Sequence, residues 1–147
     1  MKQIKDIKNK IEWEEYYNPD FDWDIIDFYK NNKLSEAFIR EFKNKVHWLY
    51  VSRFQTLSED FIREFQDRVD WTYISGYQIL SENFIREFKD KVDWYLISKY
   101  QTLSENFIRE FKDKVVYWKS IYLYQNLSEE FKEEFKKELR ILCYETN

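Results

Sequence analysis

The chain offers few residues suited to chemistry, and their surroundings decide how each is read. His47 is the only histidine and Cys143 the only cysteine among 147 residues. A metal site needs further ligands and a reactive thiolate needs a neighbouring base, and neither residue has such a companion nearby in sequence. His47 stands where the matching segments carry Asp70 and Asp93, so a helix-capping or surface role accounts for it better than acid/base work. Cys143 reads as a small, partly buried apolar residue of a terminal helix, and a lone cysteine suits a reducing compartment.

Ser52, Ser75 and Ser98 recur at one interval, yet no histidine or lysine recurs with them at a spacing suited to a base. A small side chain that lets helices approach closely is the simpler reading. The pairs Glu14 with Glu15 and Glu133 with Glu134 would divide acid and base roles only if their surroundings raised one pKa, and nothing near them in sequence does so. Gln55, Gln78, Gln101 and Gln125 each precede the next Leu-Ser pair closely. Their amides are suited to bond helix-end carbonyls, repeated as a ladder. No catalytic, metal-binding or cofactor-binding set results, and a protein that is not an enzyme and needs no cofactor is expected.

The elements that would position these residues follow from a period. The triplet LSE places Leu34, Leu57, Leu80 and Leu103 at a constant spacing of 23 residues, with Leu127 one residue late. Trp48, Trp71, Trp94 and Trp118 keep step, which locates the added residue in a turn between Val115 and Trp118. Periods in this range mark stacked supersecondary units. Within a unit, Ser58 is placed to cap a helix over 59–69, with Leu57 and Ile62 at staple spacing. Phe61, Ile62, Phe65 and Val69 share an arc of about 100° on that helix, and its charges take the rest. Those charges also pair on paper, with Glu59 and Arg63, Arg63 and Asp67, and Glu64 and Arg68 at i,i+4.

Asp70 is placed to cap a second segment beginning at Trp71, one rich in strand-favouring residues. The copies arbitrate. Counted from the tryptophan, the third, fourth, sixth and seventh positions hold Ile74, Ser75, Tyr77 and Gln78 or their like, whereas the first, second and fifth vary. On a helix these sets separate into two sides, with the constant side expected to face inward; on a strand they would mix. The segment is therefore a helix, or in part a tight 3₁₀ turn. The architecture expected is an all-α solenoid in one domain, with an irregular N-terminal cap over 1–33, four tandem repeats over 34–126 and a C-terminal capping helix over 127–147. Lys132 in place of the inward Ile suits an end unit, and Ile4, Ile7 and Ile11 suit a degenerate first helix. The stretch between reads as a broken segment, a turn at Pro19 and a further segment from Asp22 to Tyr29. Helices this short are unstable alone, so Trp, Phe and Ile must bury against the next unit.

Composition narrows the classes. One glycine, Gly76, and one proline, Pro19, argue against hairpins and phosphate-cradling loops, which need residues at positive φ. A net charge of −4 argues against nucleic acid and anionic membrane surfaces as partners. No apolar run approaches the length of a membrane helix and the start lacks a signal peptide's apolar centre, so a cytoplasmic protein is expected.

At LSEDFIREFQDRVDW and its copies, over about residues 34–140, the chain resembles short tandem-repeat proteins of giant DNA viruses and AT-rich microbes, in which units of this type follow one another. The resemblance implies a repeat architecture and, if the chain is viral, a host cytoplasm; it implies no enzymatic activity and no ligand. Solenoids hold a scaffold constant and vary exposed positions to build a surface. The varying positions of the second helices, Leu49, Tyr50, Arg53, Thr72, Tyr73, Tyr95, Leu96, Lys99, Lys119 and Leu123, are thus the candidate contacts for a protein partner, with packing against a neighbouring row as the other reading. An interaction or scaffolding module directed at a host protein is expected, acting as a monomer or through self-association of the repeats; the alternative is a self-assembling structural protein of a particle or filament.

Overall fold

The computed structural model describes residues 26–114 and 117–140. Among them lie eleven helices and no strand. These are α1 (Ile26–Asn31), α2 (Glu36–Glu41), α3 (Trp48–Phe54), α4 (Glu59–Glu64), α5 (Trp71–Tyr77), α6 (Glu82–Glu87), α7 (Trp94–Tyr100), α8 (Glu105–Glu110), α9 (Trp118–Tyr124), α10 (Glu129–Glu134) and α11 (Lys136–Arg140). The fold is an all-α repeat solenoid of two-helix units. It divides into two compact units after Asp70. In the first, α1 packs on α3; in the second, α5, α7 and α9 pack side by side, and α11 lies against α9 and α10. The inserted residue near Val115, the isoleucines before residue 12, the Pro19 turn, the start of the segment at Asp22, Glu14, Glu15 and Cys143 lie outside the described residues.

Each first helix begins where the LSE triplet places it. The hydroxyls of Ser35, Ser58, Ser81, Ser104 and Ser128 accept the amides of Phe38, Phe61, Phe84, Phe107 and Phe131, satisfying one of the donors that a helix start leaves open. Leu57 and Ile62 are both buried. The helix is shorter than its apolar pattern suggests: α4 stops at Glu64, and the segment on to Val69 is a turn closed by the Val69 amide on the Phe65 carbonyl at 3.1 Å. The tryptophan that opens the next helix bonds this turn in two of the copies. Trp48 Nε1 donates to the Lys43 carbonyl at 3.0 Å and Trp94 Nε1 to the Lys89 carbonyl at 2.9 Å. Each carbonyl sits one residue past its helix cap, and its bond to an indole five residues on holds the turn between the two helices.

The second segment is α-helical throughout Trp71–Tyr77 and its copies. Asp93 caps α7 as its chemistry suggests, accepting the amides of Tyr95 and Leu96. His47 holds the equivalent place on α3 without a side-chain capping bond; its ring stacks on Tyr50 at 4.3 Å and its amide donates to the Tyr29 hydroxyl at 2.7 Å.

The core between successive units is made of rings and branched aliphatics. Phe84, Ile85, Ile97, Phe107 and Ile108 are fully buried. The indole of each second helix packs on the first helix that follows it: Trp71 lies 4.9 Å from Phe88, and Trp94 lies 5.0 Å from Phe111. The tryptophans themselves are only half-buried. Burial of an aromatic side chain in such a stack supplies the stabilisation that a six- or seven-residue helix lacks.

Candidate interaction surface

Most polar residues that recur in the sequence are consumed inside the stack. Gln101 is buried; its Nε2 donates to the carbonyls of Ser75 at 2.9 Å and Gln78 at 2.8 Å, while its Oε1 accepts the Leu80 amide at 3.1 Å. Gln55 makes the same three bonds to Tyr29, Asn32 and Leu34, and Gln125 to Ser98, Gln101 and Leu103. The expected ladder of carbonyl bonds is present, and the acceptor side closes it. The amide thus satisfies the end of one helix and the connection to the next.

The recurring serines do more than keep helices close. Ser75 Oγ donates to the Trp71 carbonyl at 2.6 Å and accepts the Asp93 amide at 2.9 Å, and Ser52 relays in the same way between Trp48 and Asp70. Both are fully buried and both hydroxyls are occupied, which suits a structural bond and leaves no nucleophile presented to a substrate.

The charges of the first helices also have internal partners. Arg86 pairs with Glu82 at 3.7 Å on its own helix and with Glu110 at 2.8 Å on the next first helix; Arg109 does the same with Glu105 and Glu134, and Arg40 with Glu36 and Glu64. Glu59 and Arg63 pair as the i,i+4 spacing suggests, at 3.7 Å. Glu64, expected to meet Arg68, meets Arg40 instead. Arg68 donates to the Lys43 carbonyl and lies over the Trp48 ring. The first glutamate of a helix reaches forward as well: Glu82 Oε1 accepts the Ser104 amide and Glu105 Oε1 the Ser128 amide, each at 2.6 Å. The Ser128 bond holds the Glu105 carboxyl below the usual carboxylate range, with Arg109 adding to the effect. At the end unit Lys132 pairs with Glu129 at 2.7 Å.

The second helices present a different surface. On α3, Leu49, Tyr50 and Arg53 are half-buried, with the Tyr50 ring 5.5 Å from Tyr29 and the Arg53 guanidinium over Phe54. In the second unit, Thr72, Lys119 and Leu123 are exposed, Tyr95 is exposed by 39%, and Tyr73, Leu96 and Lys99 are half-buried. Three of these residues meet other rings. Lys99 Nζ lies 5.8 Å from the centre of the Tyr95 ring, 4.9 Å from Tyr100 and 5.7 Å from Tyr124. Tyr95 in turn meets Tyr117 edge-on at 4.9 Å, and Tyr73 lies 5.6 Å from Tyr77. The Tyr100 hydroxyl above all, then Tyr95 and Tyr124, raise the Lys99 pKa above its ordinary value.

Tyr77, Tyr100 and Tyr124 are what the sequence reading missed. They belong to the constant set that was expected to face inward, yet they are exposed by 58%, 55% and 55%. The signal was available in the helical wheel, since the sixth residue after the tryptophan lies about 120° round from it. Constancy between copies here marks a shared surface position. Gly76 lies against the same surface: a Cβ there would stand 3.5 Å from Leu96 Cδ1 and 3.8 Å from Tyr100 Cδ2, in ordinary contact with the next helix's residues.

No group of three or more His, Cys, Asp or Glu side chains among the described residues is arranged to hold a metal ion. A shallow surface cavity lies beside Glu41, Phe42, Asn44 and Lys45, and it brings together no nucleophile and base. No helix among the described residues is long and apolar enough to cross a membrane. Comparison with known proteins yields no matching family model, no matching curated protein and no matching solved structure.

Proposed function

We propose that the chain is a non-enzymatic repeat module that binds another protein through the second-helix face of its second unit. One observation carries this reading: Tyr95, Tyr100 and Tyr124 gather around Lys99, with Tyr117 edge-on to Tyr95, while each ring remains exposed by 39% to 55%. Tyrosine contributes a large apolar face and a hydrogen-bonding tip at little conformational cost, which is why it is enriched where proteins bind. The candidate residues Thr72, Tyr73, Leu96, Lys119 and Leu123 flank that cluster on α5, α7 and α9, whereas Leu49, Tyr50 and Arg53 belong to the first unit's α3 and would make a contact of their own. The likeness of the 23-residue unit to repeats of giant DNA virus proteins favours a host protein as partner and a host cytoplasm as the setting.

The test is capture by proximity labelling, comparing the natural chain with a Tyr95→Glu, Tyr100→Ala variant whose helix content and melting temperature are unchanged. Partners labelled by the natural chain should disappear with the variant. Retention of every partner would count against this face. Light scattering that shows growth with concentration, abolished by the same variant, would move the role to self-assembly into a particle or filament.

A further inference from the structure

The proposed binding face has a charge character that its sequence neighbours lack. Helices α5, α7 and α9 contain no aspartate or glutamate, and their only charged side chains are Lys99 and Lys119. Every first helix, in contrast, carries at least two carboxylates. The cations of the first helices are neutralised within the stack: Arg40, Arg86, Arg109 and Lys132 each stand within 4 Å of a carboxylate. Among the described residues no carboxylate pairs with Lys99, whose ammonium lies among the rings of Tyr95, Tyr100 and Tyr124, with the Tyr100 hydroxyl as a neutral partner. A ring face attracts a cation without cancelling its charge, so the ammonium still presents a field to whatever approaches. Asp93, at the start of the same helix, turns its carboxylate onto the amides of Tyr95 and Leu96 and away from that role.

We infer that the occupant of this face is an acidic polypeptide segment: one whose Asp or Glu side chains meet Lys99 and, one helix on, Lys119, while its apolar side chains lie across the rings of Tyr95, Tyr100 and Tyr124. The inference rests on the interaction-module reading and names the chemistry of its partner. Complementary charge sets orientation and rejects basic competitors, and the tyrosine hydroxyls supply further donors to carboxylates. A polyanion such as nucleic acid fits less well, because two cations on a chain of net charge −4 release few counterions. Two copies apposed through this face would bring lysine against lysine.

A random dodecapeptide library displayed on phage, panned against the full chain, tests the inference, with selected peptides then synthesised and titrated by fluorescence anisotropy. The selected peptides should be net acidic, with Asp or Glu interleaved among apolar residues. Their affinity should fall about tenfold or more with Lys99→Glu, fall less with Lys99→Gln, and be retained with Lys99→Arg. Circular dichroism confirms that each variant folds. Peptides that are neutral or basic, or acidic peptides indifferent to Lys99→Glu, overturn the acidic partner. If such peptides still depend on Tyr100 and Tyr124, the interaction module stands while this inference falls. Tighter binding of a labelled dT12 oligonucleotide than of any peptide overturns it in favour of nucleic acid, and Lys99-dependent self-association overturns it in favour of a second copy. If no peptide is enriched, the acidic partner is rejected; if no labelled partner depends on the tyrosines either, the interaction module falls with it.

Discussion

The row of first helices and the row of second helices are built from the same 23-residue unit, yet they treat their polar residues in opposite ways. On the first row, each arginine that recurs in the unit is bound to a glutamate of its own helix and, for Arg40, Arg86 and Arg109, to one on the following first helix. On the second row of the second unit, the charge is sparse and of one sign, and Lys99 lies among tyrosine rings. The lesson is that charge density does not locate a binding face. A densely charged surface whose groups are mutually satisfied has little to gain from a partner, whereas an aromatic surface whose only charges are two lysines has much.

The contrast can be broken most severely from beneath. Phe84, fully buried under the first row, is where Trp71 packs, and Phe84→Ala should destabilise the second unit by about 3–5 kcal/mol in urea denaturation. Trp94→Ala removes a half-buried ring and belongs at the lower end of that range, a discount on what an inward tryptophan would cost. Equal losses from the two would place the indoles deeper than their solvent exposure indicates.

An intermediate effect should follow from severing the amide ladder that ties the rows together. Gln101→Leu leaves the Ser75 and Gln78 carbonyls and the Leu80 amide without their side-chain partner, at a cost of about 1–3 kcal/mol. Hydrogen exchange at the Leu80 amide should rise with it. A neutral result would mean that solvent reaches these groups and replaces the glutamine.

The smallest effect is the sharpest discriminator between the rows. Arg86 and its two glutamates are surface groups, so Arg86→Ala should cost no more than about 1 kcal/mol, and the loss should shrink in high salt. Lys99→Ala, with no carboxylate partner among the described residues, should change stability by less than about 0.5 kcal/mol. Its melting temperature should respond to salt as that of the natural chain does. Salt-dependent stabilisation through Lys99 would show that its charge is already satisfied within the chain.

Much of this architecture is legible without coordinates because its determinants are local. Ser58, Ser81 and Ser104 announce helix starts through a bond only three residues long, and the separation of constant from varying positions identifies the Trp71–Tyr77 segment as a helix by geometry within seven residues. The glutamine ladder could be foreseen because an amide beside a helix end has open carbonyls within reach. The lengths of the first helices could not, because their apolar pattern runs on through Phe65 and Val69 into a turn in which both are still buried.

The same distinction governs the candidate site. The period, the caps, the helical type of both segments and the varying positions of the second helix follow from sequence alone, since each depends on residues within a few turns of one another. Tertiary stacking decided the rest. Arg40 stands four residues from Glu36 and a whole repeat from Glu64, and only the spacing between stacked helices brings both carboxylates within 4 Å. Tyr100 and Tyr124 are equivalent in sequence to Tyr77, but the meeting of Tyr100 and Tyr124 over Lys99 exists only because α7 and α9 lie side by side.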